Sequence, residues 1–366
     1  MLTPARILTI AGLVLASAGA ALAQTPPPAT GEPPLGTPPA GTPTTAPDGT
    51  PLTPTTPGRM VQATGVCQIH GPVLTPTDFN VAAGLPVADM SAVVLEDGRI
   101  RLYVFAQGQG IVSATSITPE GLAFVADPGQ RLGDGSGMPR IVRRPEGGYR
   151  LFFISGDGIK SATSEDGLNF TVEAGFRISK EQAGLTDAAG NLQALSGATI
   201  LRLQDGRYRM YFSDLPRPGE GPGGHRIKSA VSTDMLTWVM EEGLRMGVGA
   251  TPLGESAEHP SALAHADGRM TLYYGKFLGP GSSNAEGMYF STSNDGLTFE
   301  TETLGVFRGN DPDLIHRQDG TLLAYYGDFD PVIGGIVYVA ACPDPGATPA
   351  TSATVTPMGV RPIRVR

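Results

Sequence analysis

The chain has little cysteine and tryptophan, two and one in 366 residues. No cluster of Lys and Arg appears anywhere along it. Two cysteines are too few for a structural zinc site. A net charge of −9 and a pI near 5.1 without a basic patch argue against nucleic acid and anionic membrane surfaces, and fit neutral or cationic ligands. No serine-protease arrangement, phosphate loop, Rossmann fingerprint or His-Glu-x-x-His zinc motif is visible. The glycine-rich stretch Gly219 to Gly224 lacks the strand and helix context of a phosphate cradle, and reads as a long exposed loop. No amphipathic helical stretch of useful length interrupts the remainder.

What is present begins with an export pattern. Arg6 supplies a positive start, Ile7 to Ala18 an apolar segment too short to span a bilayer comfortably, and Ala21-Leu22-Ala23 a small-x-small cleavage site. Residues 1–23 therefore read as a signal peptide, and no Cys follows the site to take a lipid anchor. Residues 24–58 are mostly Pro, Thr, Gly and Ala, with too little apolar surface to order themselves, and read as an extended, disordered linker. Residues 59–366 are expected to form one domain, monomeric, not inserted in a membrane, and located in the periplasm, outside the cell or on its surface.

Five repeats dominate that domain. A turn recurs at Asp97-Gly98, Gly147-Gly148, Asp205-Gly206, Asp267-Gly268 and Asp319-Gly320, between a short apolar run and a more aromatic one. Asp-Gly between two such runs signals a hairpin, both turn residues accepting positive φ. A third segment then leads into a second turn, seen as Ser164 to Phe170, Ser232 to Trp238 and Ser293 to Phe299, with a degenerate copy at Glu120 to Phe124. Four short strands every 50 to 60 residues or so predict an all-β, five-bladed propeller.

The fifth unit lacks the second turn motif, whereas Thr77 to Leu85 resembles a fourth strand. The spacing predicts that the N-terminal segment around Phe79 closes the ring as the outer strand of the last blade. Cys67 and Cys342 would then lie on adjoining segments and form a disulfide.

Strand direction assigns residues to two faces. The Ser-x-Asp-Gly loops fall on the bottom, where Ser and Asp are expected to bond their own backbone rather than a metal or glycan. Aligning the units on their first turns places Asp89, Met138, Gly197, His259 and Asp311 in one column at the top. Before it come Ala88, Gly137, Ser196, Glu258 and Asn310, and two places after it Ser91, Arg140, Thr199, Ser261 and Asp313. Past the second strands the same face receives Asp157, Asp214, Lys276, Asp328 and Asp330.

The five-fold repeat, the Ser-x-Asp-x-x-x-Trp form at Ser232 to Trp238, and the segments Glu258-His259-Pro260 and Asn310-Asp311-Pro312-Asp313 resemble the five-bladed glycoside hydrolases that include arabinanases, β-xylosidases, levansucrases and invertases. The resemblance implies a carbohydrate substrate. It further implies Glu258, in its Glu-x-Pro context, as general acid, with Asp89 and Asp311 or Asp313 as base, nucleophile or tuning acid. The pattern departs from that group in three places. Met90 follows Asp89 where the family usually has Pro, Arg140 stands where the second-blade acid should fall, and Glu258 lies in blade four rather than three.

Glycosidic chemistry needs two carboxyl groups across the bond, one kept protonated and one ionised. His259, Arg140, Asp214 and Asp328 are the expected ligand-facing neighbours, with Arg140 pairing with Asp89 or Asp311 if it faces the pore. No organic cofactor is implied. The alternative reading of the same acids is a non-catalytic propeller that binds glycan or protein, its carboxylates holding backbone amides or an axial cation such as Ca2+.

Overall fold

The computed structural model describes residues 66–345 except 157, 186–194, 215–224, 248–249, 251–255, 277–286 and 307. The signal segment, the linker, Asp157 and the Gly219 to Gly224 loop lie outside the described residues. Among the described residues no helix is long and apolar enough to cross a membrane.

Five antiparallel sheets form the blades of a propeller. After β1 (Gln68–Leu74), blade one contains β2 (Val87–Val94), β3 (Ile100–Ala106), β4 (Gly110–Ser116) and β5 (Phe124–Ala126). Blade two contains β6 (Gly137–Arg143), β7 (Tyr149–Ser155), β8 (Gly158–Ser164), β9 (Thr171–Val172) and β10 (Ile178–Ser179), the last two both pairing β8. Blade three repeats that division with β11 (Leu195–Arg202), β12 (Tyr208–Asp214), β13 (Arg226–Ser232), β14 (Val239–Met240) and β15 (Met246–Gly247). Blade four is β16 (Glu258–Ala264), β17 (Met270–Lys276), β18 (Gly287–Ser293) and β19 (Thr303–Val306). Blade five is β20 (Asn310–His316), β21 (Leu322–Asp330) and β22 (Gly334–Cys342), completed by β1.

The ring closes with an N-terminal strand, but not the one expected. Gln68–Leu74 pairs with β22 in the register Gln68 to Ala341 and Leu74 to Val337. Phe79 instead ends a 3-10 helix, Pro76–Phe79, opened by Thr75 and Asp78 in a capping box. Pro76 suits its first turn because it has no N–H to leave unpaired. Phe79 and Val81 then plug the joint between blades five and one, among Val87, Leu102, Tyr325 and Val337. Cys67 and Cys342 form the disulfide, across a sequence separation of 275.

Four of the five hairpin turns also differ in detail from expectation, Gly147 and Gly148 of blade two alone both having positive φ. Gly98 N–H donates to Leu95 O and Leu95 N–H to Arg99 O, with positive φ at Gly98 and not at Asp97. This is a type I turn followed by a left-handed glycine, and in blade two its glycine is Gly147, bonded to Arg144 O. The carboxylates of Asp97, Asp205 and Asp267 instead bond the N–H two residues on.

Inner and middle strands are buried on both faces because each blade is sandwiched between two others. That is why β3 is apolar or buried along its whole length rather than alternating. Every joint between neighbouring blades carries its own apolar cluster, for example Tyr103, Ile141 and Leu151 between blades one and two, and Phe152, Met210 and Trp238 between two and three.

The bottom-face turns bond their own backbone, as expected, and also serve these joints. In blade two Asp166 Oδ1 accepts from the N–H groups of Leu168 and Asn169 at 2.8 and 2.9 Å, and Ser164 Oγ from Gly167. The preceding blade then grips the turn, Arg101 donating to Asp166 O and the Tyr103 hydroxyl to Gly167 O. Arg209 and Tyr211 repeat this on Asp295 and Gly296. Blade five has no such turn to offer blade four.

Candidate functional site

The top of every inner strand is bent the same way. Asp89, Met138, His259 and Asp311 have φ of 55, 50, 46 and 54°, and Gly197 one of 21°. Each lies in a register shift between first and second strands, such as Ala88/Ser91 and Glu258/Ser261. Left-handed backbone at a non-glycine residue is strained, and four such bends, with Gly197 as the fifth, ring the top of the axis. The side chains around the axis form two layers.

The lower layer is a girdle. The Arg140 guanidinium forms an ion pair with Asp313, and both side chains are 8% exposed. Arg140 also donates to Ala198 O at 2.7 Å. Asp313 accepts further bonds from Ser91 Oγ, the Ala92 N–H and Ser261 Oγ. Ser91 and Ser261 in turn take the N–H groups of Ile141 and Leu314 in the next blades. Asp313 is thus committed to joining blades, and Arg140 pairs with it rather than with Asp89 or Asp311.

The upper layer gathers around His259. Its Nδ1 lies 2.7 Å from Asp311 Oδ1 and 3.7 Å from Glu258 Oε2. Its Nε2 lies 2.8 Å from Ser196 Oγ and 3.6 Å from Asp89 Oδ1. Gly197 makes this packing feasible, since a Cβ there would stand 2.6 Å from the imidazole Cδ2. Burial disfavours charge on the ring, but the Asp311 carboxylate, then Glu258 and Asp89, push His259 up to about 10. Asp89 moves the other way from an ordinary acid. Burial first, and the Asp311 and Glu258 charges after it, push it up to about 7 although His259 opposes them.

Glu258 is 1% exposed. Its Oε1 accepts from Asn310 Nδ2 at 3.3 Å, and its Oε2 lies in close contact with His225 Nδ1. His225 comes from the start of the third strand of blade three and was not among the residues singled out by sequence. One sign of it exists. β4, β8, β18 and β22 all open on glycine, and β13, which follows His225, does not.

Between the layers lies a cavity of about 10 Å³, room for one water-sized group, lined by Asp89, Met138, Arg140, His259 and Asp311 among others. Donor atoms of Asp89, His259 and Asp311 lie within 4.8 Å of one another, close enough to surround a metal ion. Here the imidazolium of His259 already supplies positive charge at that point. Asp214 and Asp328 are not part of the cluster. Asp214 is fully buried against Arg226 within its own blade, and Asp328 caps the Phe329 N–H near Arg308.

The architecture is that of the five-bladed propellers found among glycoside hydrolases. A structure described as belonging to the GH130 family of mannoside phosphorylases, with hydrolases that target β-1,2-mannosidic linkages in Candida mannan, aligns with a TM-score of 0.54. It is 18% identical and covers 77% of this chain and 94% of its own. An α-L-arabinofuranosidase from Clostridium thermocellum aligns at 0.51, with 18% identity over 69% of this chain and 89% of its own. A GH43_1 enzyme from Xanthomonas citri, complexed with xylose, aligns at 0.50, with 16% identity over 75% and 90%. No protein-family model matches the sequence, and no curated protein matches it.

Proposed function

We propose that this is an exported, carbohydrate-active propeller that cleaves glycosides at the top end of its axis, with Asp89, Glu258 and Asp311 as working carboxylates. The observation that carries the reading is the convergence of those three acids, from blades one, four and five, on one imidazole within 3.7 Å. Their environments differ, and two carboxyls held in different protonation states are what glycosidic bond cleavage uses. Among the neighbouring structures, one is of a family with hydrolases that target β-1,2-mannosidic linkages, one is an α-L-arabinofuranosidase and one holds xylose, which supports a sugar of that range as substrate. The N-terminal signal pattern and the disulfide support export.

One observation favours a second reading, a non-catalytic glycan-binding propeller. Arg140 stands at the second-blade acid position and neutralises Asp313, and the space left on the axis is small. The test is turnover by residues 59–366 on chromogenic pyranosides, furanosides and polysaccharides, with and without inorganic phosphate, beside Glu258→Gln and Asp89→Asn. Hydrolysis or phosphorolysis lost in both variants establishes the enzyme. A folded protein that turns over nothing but binds glycans on an array establishes the second reading.

A further inference from the structure

The joint between blades four and five is built differently from the others at its bottom end. Arg101, Arg150 and Arg209, each second in its strand, donate to backbone oxygens of the turn in the next blade. Blade four has Thr271 in that place, and blade five offers no turn. The hydroxyls of Tyr103, Tyr211 and Tyr325 likewise donate to the carbonyl oxygens of Gly167, Gly296 and Gly121. Tyr273 is as buried as they are, and its hydroxyl has no partner among the described residues. Where Leu95 and Leu203 open their hairpin turns and pack on the joint, blade four has His265.

Two imidazoles and one carboxylate occupy this gap. His316 Nε2 lies 3.0 Å from Asp344 Oδ2, and His265 Nδ1 lies 3.8 Å from Asp344 Oδ1. The buried His265 ring has its Nε2 2.7 Å from Thr271 Oγ1, which itself meets Thr292 Oγ1 at 3.0 Å, so Nδ1 is the nitrogen turned to the carboxylate. At 3.8 Å those two atoms are too far apart for a hydrogen bond. Two metal bonds of about 2.1 Å meeting at a tetrahedral angle separate their donor atoms by about 3.4 Å, between the two spacings seen. His316 is 38% exposed and has room to turn. Asp344 lies two residues beyond the disulfide, between Pro343 and Pro345, which restrict its backbone. Among the described residues, the charge that acts on the Tyr273 hydroxyl is that of Asp344.

We propose that His265, His316 and Asp344 bind a divalent transition-metal ion of the zinc class, which clasps the end of the last blade to blade four. Two imidazole nitrogens with one carboxylate suit zinc and its neighbours cobalt and nickel, whereas calcium and magnesium take oxygen ligands. Thr271 holds the second nitrogen of His265, the outer bond that ligating histidines generally make. Three protein ligands leave a fourth position for water, a partner of the kind the Tyr273 hydroxyl lacks. The ion does in this joint what the Ser-x-Asp-Gly turn does in others, and no cysteine is needed. The site lies past the end of β16, whereas His259 sits at that strand's start, and the proposal does not rest on the glycoside-cleaving reading.

The test strips the purified, tag-free protein with EDTA and titrates it with Zn2+ by calorimetry and with Co2+ by visible absorption, following thermal unfolding at each concentration. Wild type is expected to bind one Zn2+ at this site, to show the d–d bands of four-coordinate Co2+, and to unfold at a temperature that rises with free Zn2+. His316→Ala and Asp344→Asn are expected to bind Zn2+ roughly 100-fold more weakly or worse, and to lose the Co2+ bands and the thermal rise. Asp89→Asn leaves these ligands intact and is expected to bind as wild type does.

Binding lost in Asp89→Asn and kept in His316→Ala places the ion at the other end of β16 and overturns the proposal. Binding by wild type no tighter than by His316→Ala overturns it too. Should both clasp variants fold poorly, amide exchange at Cys342 and Asp344 in stripped wild type is the second measure. Zn2+ is expected to slow it, and equal rates with and without the ion overturn the clasp.

Discussion

Arg140 of blade two reaches across the propeller axis to Asp313 of blade five, and the pair ties together blades that are not neighbours in the ring. Removing one partner of a buried pair leaves the other charged and unsolvated. Arg140→Met should cost about 3–5 kcal/mol in urea unfolding. The double change Arg140→Met with Asp313→Leu should cost less than that single one, and a larger loss in the double variant would show that the girdle depends on the charges themselves.

The upper layer predicts how stability depends on pH. Asp89 has a folded pKa near 7, above its ordinary 3.8, so the folded state binds the proton more tightly. Stability therefore falls as pH rises from about 4 to about 7. Asp89→Asn should remove that part of the slope, as read by thermal unfolding across the interval.

His259 acts in the next window. Its folded pKa is near 10 against an ordinary 6.5, so its contribution is complete below pH 6.5 and disappears as pH rises to about 10. His259→Gln should flatten the stability profile between those limits. NMR of the ring should show a charged imidazole at pH 8, and a neutral ring there would contradict the cluster described.

Gly197 tests the packing of the same imidazole. A methyl group at this position would stand 2.6 Å from Cδ2 and 2.9 Å from Cα of His259. Gly197→Ala should destabilise the protein by more than 1 kcal/mol or so through that overlap and shift the His259 ring resonances. Unchanged resonances would mean that blade three does not hold the ring.

The disulfide closes a loop across a sequence separation of 275, which the chain-entropy model values at roughly 5.6 kcal/mol. Cys67→Ser with Cys342→Ser should lower stability by an amount of that order or less. Amide exchange should accelerate first along β1 and β22. Equal acceleration in all blades would place the weak joint elsewhere.

Much of this was legible in the chain because the blades keep one spacing. Eight residues separate Asp89 from Asp97, His259 from Asp267 and Asp311 from Asp319, so aligning turns also aligned the left-handed bends. Turn chemistry is local and survives in sequence. The closing strand was less legible, since Phe79 and its neighbours share the apolar pattern of a fourth strand while Pro76 and the Thr75–Asp78 box turn them into a helix. The partner of Arg140 was a matter of which acid sits one layer lower, and depth along an axis leaves no mark in an alignment. His225 left a single local sign, the missing glycine at the head of β13. It reaches Glu258 from another blade through a contact that no spacing encodes.

The shared last blade fixes an order of events during synthesis. Among the described strands β1 leaves the ribosome first, and its only partner, β22, is the last to emerge. Blades one to four are each built from consecutive segments and can assemble as they appear, whereas the ring stays open until the final strand arrives. A chain cut short before Cys342 therefore lacks not one strand but the closure of the whole molecule, and leaves the edge of β1 bare.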